Sequence, residues 1–359
     1  MSTPANLPKP EEPIAWSDPA RRAAFERWLA AIDSPRLDAA TLRAASADAS
    51  FRRYFRVDAV DASASCIVMD APPPQEDVRP FVHIARLIAD AGLHAPQVLA
   101  ADTAQGFLLL TDLGAQPYLA ALQDAIGTGR PQRAEALMRE ALAALVQWQQ
   151  RVDASSLPPY DEALLRRELA LFPEWCVARE YGVTWTPAQQ AAWDAACALL
   201  VESALAQPTV AVHRDWMPRN LMVAEPNPGI LDFQDAVRGP ITYDVASMLR
   251  DAFISWDEAE EIDHAVRYWQ QARDASLPVD EDFGEFWRQL EWMGLQRHLK
   301  VLGIFCRLKH RDGKPKYSED LPRFFRYAHR VCMRYRGLGA LAGLIEPLAG
   351  LQRASGHTF

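Results

Sequence analysis

The densest cluster of reactive side chains is the run His213-Arg214-Asp215-Trp216-Met217-Pro218-Arg219-Asn220. It is followed by Leu221-Met222-Val223, a turn at Asn227-Pro228-Gly229, and Ile230-Leu231-Asp232-Phe233-Gln234. A carboxylate, an amide five residues later and a second carboxylate twelve residues beyond it match the spacing of H-R-D-x-x-x-x-N and the Asp-Phe pair used in phosphoryl transfer. That reaction has a loose transition state, so a catalyst mainly positions reactants and neutralises charge. Asp215 is placed to hold an attacking hydroxyl and accept its proton. The amide oxygen of Asn220 and the carboxylate of Asp232 are hard ligands of the kind magnesium shares with nucleotide phosphates.

The chain supplies its own control for chance. His310-Arg311-Asp312 is a second H-R-D, but Tyr317 stands where the asparagine should be, and no Asp-Phe follows. A bare tripeptide is cheap, whereas the full pattern flanked by β-branched runs is not. Downstream, Asp244 in Gly239-Pro240-Ile241-Thr242-Tyr243-Asp244-Val245 reads first as a helix cap.

These residues need a frame. Residues 1–17 read as a disordered, Pro-rich tail, and Ser17-Asp18-Pro19 starts a helix whose Phe25, Trp28, Leu29 and Ile32 share a face. After a turn-like 46–50, strands are expected at 51–57, 66–69, 98–99 and 107–110, with a helix over 79–91 that Gly92 closes. Thr111-Asp112-Leu113-Gly114 reads as a boundary. Beyond it helices are expected at about 131–151, 161–181, 187–206, 243–255, 257–275, 281–306 and 319–336, and 337–351 as a helical segment or loop. The stretch 209–233 interrupts them as a β-hairpin. The expected architecture is α+β and two-lobed, with a small five-stranded nucleotide-covering lobe over 18–112 and a larger helical lobe over 113–359.

Bulk properties narrow the partners. With 359 residues, 49% of them hydrophobic, a sizeable core can be buried. A formal charge of −9 argues against nucleic acid. No apolar run is long enough for a membrane span and no leader is evident, and five scattered cysteines fit reduced thiols, so a cytoplasmic protein is expected; the sequence leaves its oligomeric state open, with a monomer favoured. Only five residues are lysines, and none lies between Lys9 and Lys300.

The run 212–251 resembles the aminoglycoside phosphotransferase and choline kinase superfamily. Within it, Asp232-Phe233-Gln234-Asp235-Ala236-Val237-Arg238-Gly239-Pro240 and Ser50-Phe51-Arg52-Arg53-Tyr54-Phe55-Arg56 resemble the bacterial kinases that phosphorylate the anomeric hydroxyl of N-acetylmuramate and N-acetylglucosamine in cell-wall recycling. The resemblance spans about 18–335 and implies ATP and Mg²⁺ as cofactors, an amino-sugar substrate and a 1-phosphate product of either anomer.

By that resemblance 48–56 is the nucleotide-covering hairpin. Ser50, Phe51, Arg52 and Arg53 are then candidate nucleotide contacts, with Ser50 offering its hydroxyl and N–H to phosphate and Phe51 packing under the loop, although the segment lacks the glycines usual there. Met69 stands about where kinases carry a strand lysine. An arginine is expected to substitute, with Arg52, Arg53 and Arg56 as candidates, or magnesium carries more of the charge. The adenine would meet backbone groups of Thr111 and Leu113 between Val68 and Leu231. For the sugar, Asp235 and Arg238 lie nearest the chemistry, and Glu168, Phe172 and Trp175 share a helix face that serves either as core or as platform. Four of the five lysines, Lys300 and Lys309 among them, gather toward a loop that could close over an anionic substrate.

Two other readings stay open: a kinase of another small hydroxyl compound such as an aminoglycoside, choline or homoserine, and a nucleotide-binding pseudokinase scaffold. The missing lysine favours the scaffold. The intact Asp215, Asn220 and Asp232 oppose it.

Overall fold

The computed structural model describes residues 14–47, 51–60 and 64–351. Ser50 lies outside them. The chain forms two compact units. One contains residues up to Ala115 together with Ala224–Gln234, and the other contains Gln116–Val223 and everything from Asp235 onward.

The first unit opens with α1 (Pro19–Ala30), where the Asp18 carboxylate accepts the Ala20 N–H at 2.8 Å and Pro19 occupies the first turn. Five antiparallel strands follow in the order β1-β2-β3-β5-β4: β1 (Leu37–Ala47), β2 (Arg53–Ala59), β3 (Ser65–Asp70), β4 (Val98–Asp102) and β5 (Phe107–Thr111). The helix α2 (Arg79–Asp90) buries Phe81, Ile84, Ala85 and Ile88, the face its spacing predicts, and Gly92 follows at φ 75°. Phe25, Leu29, Phe55, Val57, Val68, Phe107 and Leu109 form the core between α1 and the sheet. The strand β1 was not foreseen. Its sequence, LDAATLRAASA, is alanine-rich and meets β2 through two register shifts, so no clean alternation marks it.

The second unit is helical around a small strand pair. It comprises α3 (Tyr118–Gly127), α4 (Pro131–Arg151), α5 (Glu162–Leu169) and α6 (Pro187–Leu205), then β6 (Thr209–Val212) and the two-residue β7 (Leu221–Met222). The chain enters the first unit for β8 (Gly229–Ile230) and returns as β9 (Val237–Pro240), which pairs antiparallel with β6. The helices α7 (Tyr243–Leu249), α8 (Glu258–Asp274), α9 (Phe283–His310), α10 (Leu321–Arg334) and α11 (Gly339–Ala349) complete it. Sharp helix starts carry their own signals: Thr186 with Gln189, and Asp257 with Glu260, form reciprocal capping boxes.

Three expectations change. The single helix over 161–181 is instead α5 followed by a π-helical segment, Phe172–Glu180, whose wider turn breaks the i, i+4, i+7 register. The helix α7 ends at Leu249 rather than at 255. A helix absent from the sequence reading, α3, follows the boundary.

Candidate active site

In the second unit β6 is buried from Val210 to Val212 and delivers His213-Arg214-Asp215 at its end. The turn at Arg214 has φ 75°, a conformation L-residues rarely hold without compensation. Compensation comes from the fully buried Asp244, whose two oxygens accept the backbone N–H groups of His213 at 2.7 Å and Arg214 at 2.9 Å. Burial pushes the Asp244 carboxyl up to about 7, against the lowering pull of those two bonds. Asp244 therefore tethers the loop that carries Asp215. It is not the cap of its own helix, whose N-cap is Thr242.

A second anchor holds the Arg214 side chain. Its Nη2 donates to Glu168 Oε1 at 2.6 Å, and Lys300 Nζ lies 2.9 Å from the same oxygen. The Tyr160 hydroxyl donates to the other oxygen of Glu168, and Lys300 Nζ also reaches the Tyr243 hydroxyl at 3.0 Å. Burial alone would raise the Glu168 carboxyl, but the charges of Lys300 and Arg214 outweigh it and hold the group below the usual glutamate range.

Beside this cluster, Asp215 is half-buried. Its carbonyl accepts the Asn220 side-chain N–H at 3.0 Å, and the Asn220 backbone N–H bonds Met217 O at 2.9 Å in a 3₁₀ turn. This bond fixes the orientation of the Asn220 amide relative to the Asp215 backbone.

In the first unit, Asp232 sits at φ 59° between two anchors. The Ile230 N–H donates to His94 O at 2.7 Å, and the fully buried Phe233 packs on Phe81 with ring centres 4.6 Å apart. The Asp232 carboxylate accepts Gln234 Nε2 at 2.9 Å and lies 3.8 Å from Arg52 Nη2. A partly exposed carboxylate such as that of Asp232 and an amide oxygen such as that of Asn220 are both hard oxygen donors, so their chemistry fits magnesium.

A model of the phosphotransferase enzyme family matches residues 41–279. The chain belongs to the phosphotransferase enzyme family. It is 53% identical over 309 residues to the N-acetylmuramate/N-acetylglucosamine kinase of Pseudomonas aeruginosa, covering 86% of this chain and 89% of the relative. It is 52% identical over 316 residues to the Pseudomonas putida protein of the same name, covering 88% and 91%. A solved choline/ethanolamine kinase family protein from Mesorhizobium loti superposes with a TM-score of 0.56 over 90% of this chain and 99% of that one. At 14% identity this last likeness speaks for the fold alone. The expected α+β, kinase-like fold is borne out, and the chain is a phosphotransferase.

The remaining residues singled out in this phosphotransferase fall in distinct places. Phe51 is 66% exposed, and its N–H donates to Glu76 Oε1 at 3.1 Å. Arg53 is engaged elsewhere: its guanidinium bonds the buried Asp70, which Arg21 also holds, and lies 4.1 Å from the Trp16 ring centre. Arg56 bonds Asp112 at 3.0 Å and Gly114 O at 3.0 Å, pinning the boundary segment. The Thr111 N–H is taken by Gln97 O at 3.0 Å, which withdraws that donor from a base, while Leu113 is nearly buried. Val68 is buried in β3, and Leu231 is half-buried.

Asp235 and Arg238 are exposed, and Arg238 lies on β9, held by its backbone to Pro158 and Tyr160. Trp175 is half-buried in the π-helical segment. Phe172 belongs to the core, stacked on Trp193 at 5.4 Å. Both oxygens of Glu168 serve protein groups, which makes it an anchor of Arg214. The lysine-loop expectation changes too, since Lys300 is buried against Glu168 and Lys309 pairs with Glu180 at 2.7 Å. The second H-R-D lies at the C-terminal end of α9, where Arg311 and Asp312 pair with each other.

Sequence reasoning missed Lys300, Tyr160, Tyr243 and Glu76 as parts of these clusters. Lys300, set among the buried Leu299, Val301 and Leu302 of α9, is the one signal that could have pointed to a buried charge needing a partner.

Proposed function

We propose that this phosphotransferase moves the γ-phosphoryl group of ATP to the anomeric hydroxyl of N-acetylmuramate or N-acetylglucosamine, giving the sugar 1-phosphate for peptidoglycan recycling. The observation that carries the substrate is identity of 52 and 53%, across most of both chains, to proteins named for those two sugars. The reaction type rests on the tethered Asp215 loop.

In this reading Asp215 orients the sugar hydroxyl and takes its proton as the oxygen attacks the γ-phosphorus in line. Asp244 and the Glu168 cluster keep Asp215 in place, so little reorganisation is needed at the moment of transfer. Asn220 and Asp232 would hold Mg²⁺, which when bound neutralises phosphate charge. Asp235 and Arg238, exposed and close in sequence to Asp232, are the side chains proposed to meet the sugar, with Trp175 as a further stacking candidate. Phe51 and the backbone at Leu113, with Val68 and Leu231, are proposed to cover the nucleotide. A cytoplasmic location belongs to this reading, supported by five cysteines that are all buried and free. Among the described residues no helix is long and apolar enough to cross a membrane.

The test is ATP consumption against N-acetylmuramate, N-acetylglucosamine, glucose, kanamycin, choline and homoserine, with and without magnesium. Turnover confined to the two N-acetyl sugars, with a product phosphate labile to mild acid, is expected. Turnover on another compound alone would overturn the sugar assignment and keep the reaction type. Nucleotide binding without any turnover would favour a scaffold.

A further inference from the structure

Nucleotide phosphates carry several negative charges, and kinases commonly meet them with a lysine on the third strand. This chain has none. At that place β3 carries Met69, 1% exposed and paired with Tyr54 on β2 and Leu108 on β5. Three arginines in and just before β2 could supply the charge, and the side-chain partners separate them.

Arg53 and Arg56 are committed. The first is bonded to Asp70, whose carboxylate is completely buried, and to Ala15 O at 3.0 Å. The second is spread over Asp112 and Gly114. Removing Arg56 would leave the Asp112 charge without its cation, and removing Arg53 would leave the buried Asp70 to Arg21 alone. Arg52 is arranged differently. Its Nε lies 3.7 Å from Glu76 Oε2 and its Nη2 lies 3.8 Å from Asp232 Oδ1, both beyond hydrogen-bond distance. The two carboxylates hold the guanidinium by charge and place it beside Asp232. Glu76 is itself fixed, because its other oxygen accepts the Phe51 N–H at 3.1 Å. The Arg52 side chain is only 12% exposed, so a ligand phosphate reaching it would be substantially desolvated.

We propose that Arg52 binds the nucleotide's phosphates in place of the absent strand lysine, with Glu76 as the carboxylate that orients it. The inference rests on the kinase reading above but not on its sugar. A guanidinium suits the task because its planar fork meets phosphate oxygens bidentately and stays charged at every relevant pH. Its position 3.8 Å from Asp232 puts the phosphate-binding cation beside the carboxylate proposed for the metal, as a bound nucleotide–magnesium pair requires.

The test measures binding of adenosine, AMP, ADP and ATP by calorimetry, without and with magnesium, to the full chain and to Arg52→Ala, Arg52→Lys, Glu76→Gln and Arg53→Ala. Losing charge-assisted hydrogen bonds to phosphate should weaken ADP and ATP by roughly 10- to 100-fold in Arg52→Ala. Adenosine affinity should be unchanged, and Arg52→Lys should recover part of the loss. Glu76→Gln should shift ADP in the same direction by less. Arg53→Ala should lower the melting temperature while keeping the ratio of ADP to adenosine affinity.

An unchanged ADP affinity in Arg52→Ala, or a loss shared equally by adenosine and ADP in both Arg52 variants, would overturn the proposal. Should Arg52→Ala fold poorly, Arg52→Gln carries the same comparison. A wild-type chain that binds no nucleotide would overturn the kinase reading itself. Nucleotide binding with no turnover of the amino sugars leaves the Arg52 comparison fully decidable.

Discussion

The buried carboxylate of Asp244 accepts the backbone N–H of His213 at 2.7 Å across thirty-one residues of chain, and its other oxygen takes the N–H of Arg214. The strained turn at Arg214 costs about 1–3 kcal/mol by itself and persists because such contacts over-determine it. Asp244→Asn keeps the size but turns an NH₂ group toward one of the two backbone donors. We expect unfolding free energy to fall by about 2–4 kcal/mol, in line with breaking a buried charge-assisted pair. We also expect kcat to fall while ADP affinity is retained, since the damaged loop carries Asp215. Urea unfolding together with ADP calorimetry checks both halves, and a variant with normal kcat would remove the tethering role.

Glu168 gives the pH prediction. Its folded-state pKa lies below the usual glutamate value, held there by Lys300 and Arg214 against the effect of burial. A depressed carboxyl contributes stability that is full above the unfolded pKa, about 4.3, and is lost as pH falls through the lower folded value. Glu168→Gln should therefore be destabilised by about 3 kcal/mol at pH 7, because two buried cations lose their counter-charge. The gap from wild type should narrow as the pH is taken below about 4. Melting temperatures across pH 3–8 would show it, and a gap independent of pH would mean the carboxylate charge contributes nothing.

Asp215→Asn removes the proton acceptor while leaving the loop's backbone bonds in place. Loss of a positioned general base costs typically about 10²–10⁴-fold in rate. The expected outcome is a fall of that size in kcat with little change in ADP binding. Asp232→Asn should instead raise the magnesium concentration needed for half-maximal turnover, because a neutral amide is a weaker ligand for a hard cation. Steady-state kinetics with magnesium titration distinguishes the two. Near-full turnover in either variant would sink the assignment.

Much of this was legible in the sequence where the signal is local. The loop at 213–220, the start of α1 at Asp18-Pro19 and the inward face of α2 each follow from spacing within a few residues. What escaped depends on partners distant in the chain. Nothing near Asp244 says that it serves His213 rather than its own helix. Arg52, Arg53 and Arg56 are neighbours of one type, and only Asp70, Asp112, Glu76 and Asp232, 17 or more residues away, distinguish them. Lys300 reads with the basic loop in the sequence because its counter-charge, Glu168, lies in another helix. The strand β1 escaped for the opposite reason: its alanines carry too little side-chain contrast to show which face is buried.

Two glycines within α9 should respond in opposite ways to alanine. A Cβ built on Gly303 would lie 2.4 Å from the carbonyl carbon and 2.5 Å from the carbonyl oxygen of Leu171, backbone atoms at the entry to the π-helical segment. Such atoms cannot swing aside as a side-chain tip does, so Gly303→Ala must push the helix and that segment apart. Overpacking of this kind costs typically about 1–3 kcal/mol and occasionally more, and backbone contact places this case at the upper end. Gly294, nine residues earlier, would place its Cβ 3.7 Å from Ala246 Cβ and 3.7 Å from Arg250 Nη1, ordinary van der Waals distances. There the change to alanine should stabilise by about 0.5–1 kcal/mol, because the unfolded chain loses freedom and the helix gains propensity. Equilibrium unfolding of the two variants should therefore move in opposite directions from wild type. Equal shifts would mean that α9 and the Leu171 backbone do not approach as closely as 2.4 Å implies.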